Sequence, residues 1–463
     1  MARAPNLFER QSVLPVSAEA LYRWHARAGA FERLTPPWQR LELVERQGSI
    51  RDGDRSVLRM RLAPLVWKRW VAVHRDHREN HGFSDVQEEG PFASFEHEHR
   101  FEETPEGGSV LVDRIHYRAP LGRIGALLGG GKICRDLERA FTYRHAVTRG
   151  DLAAHGLHAS EARPLRVLVS GASGLMGSAL VPYLTAGGHT VLRLVRGPAR
   201  DGEAGWDPAT GPLHIERWPA FDAIVHLAGE NIAARRWNPA HRERIRASRV
   251  HATRVLALGL ARAGRAPKVF VEASAVGFYG DRGDETLTEE SGPGSGFLAQ
   301  LAQDWEAAAA PLALAGSRVV ALRFGAVLTP KGGALGALLT PFSLGLGGRI
   351  GSGRQHVAWL ALDDALDIVL RALLDERMRG PVNAVAPEPV TNATLAATLG
   401  RVLGRPAFLP LPGWAARLLV GPMVKEVLLV SQRAVPARLL ALGHTFRLGG
   451  LEHALRHLLG RQP

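Results

Sequence analysis

Arg166-Val167-Leu168-Val169-Ser170-Gly171-Ala172-Ser173-Gly174-Leu175-Met176-Gly177 is the stretch on which the fold turns. Residues 166–170 read as a short buried strand, the glycines as a turn, and Leu175 to about Ala186 as a helix. In such a turn the first glycine permits the tight bend and the second lets the backbone approach a pyrophosphate. The third allows helix and strand to pack closely, while the helix N-terminus offers unpaired N–H groups to an anion. Glycine triplets occur in many turns. The strand–turn–helix context is what points to a bound dinucleotide, with Gly171, Ser173, Gly174, Leu175, Met176 and Gly177 as its contacts.

Outward from this turn, strand-like runs recur at Thr190–Val195, Ala223–Leu227, Lys268–Ala273 and Arg318–Phe324, with helical segments between them. That alternation predicts a doubly wound parallel sheet covered on both faces, an α/β architecture of Rossmann type with a small C-terminal lobe beyond Pro330. Before it, Val57–Leu62, Phe95–Phe101 and Val110–Tyr117 show two-residue alternation, and Ile133 to about Ala154 reads as one long helix. A curved antiparallel sheet closed by a long helix follows, an α+β domain. Residues 151–164, DLAAHGLHASEARP, lack periodicity and read as a linker.

The chain has 463 residues, enough for two or three domains. With 46% apolar and 22% charged residues it is an ordinary globular composition, which excludes disorder. A single cysteine, Cys134, excludes an intramolecular disulfide framework and cysteine-built zinc sites, and it fits a reducing cytoplasm. The opening MARAPNLFER lacks the apolar core of a signal peptide. Trp414–Val430 is interrupted by Arg417, Pro422, Lys425 and Glu426, so no membrane span is expected. The net charge is +13, but only five of the 58 basic residues are lysine, a pattern closer to codon bias than to selection for phosphate. The arginine run from Arg235 to Arg249 reads as a solvated helical face, and no nucleic-acid partner is expected.

Cofactor choice rests on the second strand, Thr190–Val195. An acidic residue at such a strand end holds the adenosine ribose hydroxyls and repels a 2′-phosphate. Here the strand ends in Arg196, with Arg200 close behind, and a guanidinium favours the phosphate. The expected cofactor is NADP.

The GxxGxxG spacing resembles the extended short-chain dehydrogenase/reductases. Ordered motifs narrow the likeness: Trp206-Asp207-Pro208, His226-Leu227-Ala228-Gly229-Glu230-Asn231, Ser274-Ala275-Val276-Gly277-Phe278-Tyr279-Gly280-Asp281, residues 347–355 (GGRIGSGRQ) and 380–387 (GPVNAVAP). From about residue 165 onward the chain resembles the atypical epimerase family proteins, also called nucleoside-diphosphate-sugar epimerase-like. The resemblance implies cofactor contacts at Leu227, Ala228, Arg249 and Val327, and an uncharacterised C-terminal segment from about residue 406.

The catalytic set departs from that superfamily. Its usual acid is a tyrosine with lysine four positions later, and none of the five tyrosines here has that partner. Ser274 matches the superfamily's substrate-orienting residue. Tyr279 is a second catalytic candidate, expected without a neighbouring cation to keep a pKa near ~10.

Residues 1–152 resemble the START/Bet v 1-like (SRPBCC) helix-grip domains through Pro15–Glu19 with Leu21, Tyr22 and Trp24, and through residues 90–97 (GPFASFEH). The resemblance implies an apolar cavity and an apolar ligand. His97 and His99 share one face of a strand and His116 lies on another, but no carboxylate stands at a fixed spacing, so no metal site is assigned. The domain reading is thus 1–152 ligand-binding, 153–164 linker, 165–405 NADP-binding Rossmann, and 406–463 a helical segment completing the substrate lobe. Two classes of function stand open. One is an NADP-dependent oxidoreductase or epimerase-like enzyme transferring hydride to or from a small-molecule substrate. The other is a non-catalytic dinucleotide sensor or apolar-ligand carrier.

Overall fold

The computed structural model describes residues 5–63, 65–120, 122–157, 163–208 and 213–461. The chain divides into two compact units, the first mainly Met1–Ser160 and the second mainly Glu161–Val181 with His189–Arg461.

In the first unit, strands β1 (Asn6–Leu14), β2 (Leu41–Gln47), β3 (Arg55–Ala63), β4 (Val66–Arg78), β5 (Gly82–Glu89), β6 (Ser94–Glu103) and β7 (Ser109–Arg118) form one sheet in the order β1-β7-β6-β5-β4-β3-β2. Every pairing is antiparallel, and register shifts in β2, β3 and β4 bend the sheet. Between β1 and β2 lie α1 (Ala18–Ala26), capped by Ser17 Oγ on the Ala20 N–H, and α2 (Ala30–Leu34). Helix α3 (Gly122–Gly156) closes the unit and buries Phe141, His145 and Thr148. It starts earlier than the sequence reading, and it ends near the expected Ala154 while taking in the first residues of the stretch read as a linker. Gly125 and Gly129–Gly131 each weaken a helix by ~1 kcal/mol and hid its first turns. At the other end, Asp151 and its neighbours continue the helix rather than starting a linker, because the buried Asp151 carboxylate pairs with the Arg33 guanidinium at 2.7 and 2.8 Å. Of the expected linker, residues 158–162 lie outside the described residues.

The second unit carries β8 (Arg166–Ser170), β9 (Thr190–Val195), β10 (Glu203–Gly205), β11 (Ala223–His226) and β12 (Val269–Ala275). With β14 (Arg318–Phe324) and β18 (Gly380–Ala384) they form an all-parallel sheet in the order β10-β9-β8-β11-β12-β14-β18. Helices α4 (Gly177–Ala186), α5 (Pro239–Arg246), α6 (Ala252–Arg262) and α7 (Phe297–Ala308) run between strands. The near-continuous apolar runs Val167–Val169 and Ala223–Val225 are wholly buried, as central parallel strands require. The strand order reverses between β8 and β11, the position where sheets of this kind open a crevice beyond their carboxyl ends.

Three short ladders build the lobe over that end: β13 (Thr286–Leu287) with β20 (Arg433–Ala434), β15 (Ala326–Leu328) with β17 (Trp359–Ala361), and β16 (His356–Val357) with β19 (Val390–Thr391). The C-terminal segment is part of this lobe. Its helix Leu451–Leu459 shares a core with Phe342, Trp359, Leu395 and Leu399. Glu426 Oε2 accepts the Leu298 N–H at 2.9 Å and so caps α7. No described helix is long and apolar enough to cross a membrane.

Candidate functional site

The glycine turn has the local constraints its sequence requires. Gly171 holds φ +69°, and a Cβ there would lie 2.8 Å from the Leu227 carbonyl carbon, so the turn sits hard against the loop after β11. A Cβ on Gly177 would meet the Gly171 oxygen at 2.1 Å, which fixes α4 close to the turn. Ser173 and Gly174 are exposed between these contacts. The backbone N–H groups of Leu175 and Met176 make no hydrogen bond among the described residues. The Leu175 side chain approaches Gly332 and Gly333, just beyond Val327 on β15, and Val327 is half-buried.

Arg196 follows β9 directly and is exposed, as is Arg200. Its guanidinium makes no hydrogen bond or ion pair among the described residues. Arg249 is placed differently. It lies in a π-helical turn, Ala247–His251, joining α5 to α6. That turn presents Ser248 Oγ to the Glu230 N–H at 2.9 Å and Arg249 Nη1 to the Glu230 carbonyl at 2.9 Å. Arg249 also lies over the Trp305 ring, 5.1 Å from its centroid, and burial pulls it down to about 10. The π-turn therefore clamps the loop carrying Leu227 and Ala228.

Parallel register sets two polar rows on the sheet. In the first, His226 stands opposite both Ser170 and Glu272. Ser170 Oγ accepts the Ala228 N–H and meets His226 Nδ1 at 2.7 Å, and burial pushes His226 down to about 4. Neither oxygen of Glu272 has a hydrogen-bond partner among the described residues, and burial, with Glu306 adding to it, raises this carboxyl well above the usual range.

In the second row Ser274, Arg323 and Asn383 stand in register on β12, β14 and β18. Ser274 Oγ donates to Glu306 Oε1 on α7 at 2.7 Å, and Arg323 grips both Glu306 oxygens at 2.8 and 2.9 Å. Arg323 Nη1 also donates to the Tyr279 hydroxyl at 3.0 Å, and that hydroxyl donates to Asn383 Oδ1 at 2.7 Å. Tyr279 thus has the neighbouring cation that the sequence reading found missing. Arg323 supplies it from another strand, where spacing along the chain gives no sign of it. The phenol is nonetheless fully enclosed, and burial pushes its pKa up despite Arg323. Glu306, Arg323 and Asn383 are the site residues that sequence reasoning missed.

The first unit holds a cavity of about 840 Å³. Leu58, Met60, Trp70, Phe92 and Phe95 are among its walls, and His25, His74, Asp85, His97, His99 and Arg144 give it a polar floor. Asp85 lies opposite His97 and Asp113 opposite His99, so strand register supplies the carboxylates that spacing did not reveal. Burial would raise Asp113, but His99, His145 and His97 outweigh it and hold the carboxylate well below its usual range. Burial drives His97 down to about 4 and His25 to about 3.

Three family models match the chain. They are the NAD dependent epimerase/dehydratase family over residues 167–384, a domain of unknown function (DUF1731) over 411–458, and polyketide cyclase/dehydrase and lipid transport over 14–142. The chain is 43% identical to an epimerase family protein of Mycobacterium bovis over 64% of its own length and 98% of the relative's. It resembles the crystal structure of the nucleoside-diphosphate sugar epimerase from Corynebacterium glutamicum, with TM-score 0.81 and 35% identity over 98% of this chain and 90% of that one. The crystal structure of human epimerase family protein SDR39U1 with NADPH is also similar, with TM-score 0.59 and 37% identity over 64% of this chain and all of that one.

Proposed function

The chain belongs to the epimerase family proteins, and from that premise we propose that it is an NADP-dependent oxidoreductase or epimerase-like enzyme acting on a small-molecule alcohol or its carbonyl counterpart. The observation that carries this reading is the glycine turn at the carboxyl end of β8, where the strand order reverses. Gly171 and Gly177 leave room there for no side chain, and the Leu175 and Met176 N–H groups are free to meet a pyrophosphate. The Arg196 guanidinium at the end of β9, without a partner among the described residues, favours a 2′-phosphate. The relative whose structure contains NADPH supports the same choice. Leu227 and Ala228 pack against Gly171, Val327 lies just before the Gly332–Gly333 turn that Leu175 approaches, and Arg249 holds the Glu230 carbonyl of the Leu227 loop.

A bound nicotinamide would supply the hydride chemistry. The proton falls to this chain's residues. Because Ser274 commits its hydrogen to Glu306, its oxygen is left as an acceptor, suited to an alcohol O–H. The alcohol proton passes to Ser274 Oγ as the serine proton passes to Glu306, and the carbonyl direction reverses both transfers. Arg323 fixes the Glu306 carboxylate in place, and Tyr279 stands outside this route. The cavity of the first unit takes an apolar ligand with a polar end.

The test is incubation with NADP⁺ and a panel of alcohols, following reduced nicotinamide by its absorbance, and with NADPH and the matching carbonyl compounds. Turnover that collapses in Ser274→Ala and Glu306→Gln supports the relay. NADPH binding without turnover on any panel member would leave the dinucleotide as a structural ligand and end the enzyme reading.

A further inference from the structure

The geometry points to a divalent transition-metal site in the first unit, formed by Asp85, His97 and His99 and opening on its cavity. Asp85 comes from β5, and the two histidines sit two residues apart on β6, so all three project from one face of the sheet. One ligand atom from each lies within 4.8 Å of the others. Asp85 Oδ2 is 3.5 Å from His99 Nε2 and 3.9 Å from His97 Nδ1. Ligand atoms about 2.1 Å from a shared ion in tetrahedral geometry stand about 3.4 Å apart, so only small side-chain adjustments are needed.

The surroundings match what a metal site requires beyond its ligands. A ligating histidine directs its other ring nitrogen at a carboxylate, which fixes its tautomer. Asp113 plays that part for His97, its Oδ1 hydrogen-bonded to His97 Nε2 at 2.9 Å, and the same oxygen stands 2.7 Å from His99 Nδ1. Asp113 is anchored in turn by His145 Nε2 at 2.8 Å, and His145 Nδ1 meets Ser12 Oγ at 2.8 Å. His99 Nδ1 and His74 Nδ1 each lie 2.7 Å from a carboxylate oxygen, of Asp113 and Asp85, without hydrogen-bond alignment, and buried His74 Nε2 has no hydrogen-bond partner among the described residues. Two imidazoles and one carboxylate select zinc, cobalt or ferrous iron rather than magnesium or calcium. Three protein ligands leave positions open toward the cavity, where an oxygen donor on its ligand can bind the ion.

Titration of the full-length, untagged protein with Co²⁺, followed by its visible absorption and by X-ray absorption of the bound ion, tests this. The expected result is one ion per chain, two imidazoles in its first shell, and displacement by Zn²⁺. Affinity should fall ~10–100-fold in Asp113→Asn and further in Asp85→Asn. His116→Gln, at the alternate face position of β7, should leave it unchanged. Failure of the wild-type protein to bind one ion, a first shell without two imidazoles, or binding that survives Asp85→Asn would overturn the proposal. The wild-type measurement decides even where a variant fails to fold.

Discussion

Ser274 and Arg323 stand opposite one another on the parallel strands β12 and β14, and both side chains end on the same carboxylate, Glu306 of α7. Arg323 extends the network to the Tyr279 hydroxyl and from there to Asn383 on β18. The two catalytic candidates, Ser274 and Tyr279, are therefore tied into one buried charge network through Arg323 and Glu306.

With Ser274 and Glu306 as the proposed proton relay, Tyr279→Phe should change turnover by less than about tenfold, whereas Ser274→Ala should lower it by ~10²-fold or more. The tyrosine variant leaves Arg323 Nη1 and Asn383 Oδ1 short of a partner and should lose roughly 1–3 kcal/mol of stability instead. Thermal melts and steady-state rates on the same preparations separate the two effects. A thousandfold rate loss in Tyr279→Phe with unchanged melting would make Tyr279 the acid.

Arg196 and Arg249 should fail in different ways. Arg249→Met frees the Glu230 carbonyl and loosens the loop beside the glycine turn, so NADPH and NADH should weaken together. Calorimetric titration of that variant should leave the ratio of the two affinities at its wild-type value. A selective loss of NADPH would mean Arg249 touches the 2′-phosphate itself.

Glu272→Met should raise the melting temperature. The carboxyl is buried with no hydrogen-bond partner among the described residues, and an unsatisfied buried polar group costs about 1–3 kcal/mol. A variant that melts lower than wild type would show that Glu272 has a structural partner.

Asp364 gives a pH prediction. Burial, with Asp367 second, pushes it up to about 7, against ~3.9 for an unfolded aspartate. An acid with a higher pKa folded than unfolded favours the fold most below ~4, and that advantage is lost as pH rises through about 7. Asp364→Asn removes the titration, so its melting temperature relative to wild type should increase from pH 5 to pH 8. A constant difference would place Asp364 in its ordinary range, kept there by the Arg447 and Leu448 N–H groups that it accepts.

The parallel sheet was legible because its strands are buried on both faces and read as short apolar runs, of which Arg166–Ser170, Thr190–Val195 and Arg318–Phe324 keep the same bounds in the structure. The edge strands Glu203–Gly205 and Gly380–Ala384 carry glycine or proline and little apolar signal, and they were not. The candidate site was half legible for a related reason. Glycines and the strand-end Arg196 announce themselves by local spacing. Glu306, Arg323 and Asn383 meet Ser274 and Tyr279 only through register between strands far apart in sequence, and the same holds for Asp85 and Asp113 beside His97 and His99.

The most direct measurement of the central claim is the equilibrium affinity of the wild-type protein for NADPH and for NADH, repeated with Arg196→Ala. A charge-assisted contact to the 2′-phosphate predicts that wild type prefers NADPH by ~10–100-fold and that the variant loses this preference while holding NADH as before. Equal wild-type affinities for the two nucleotides would contradict it.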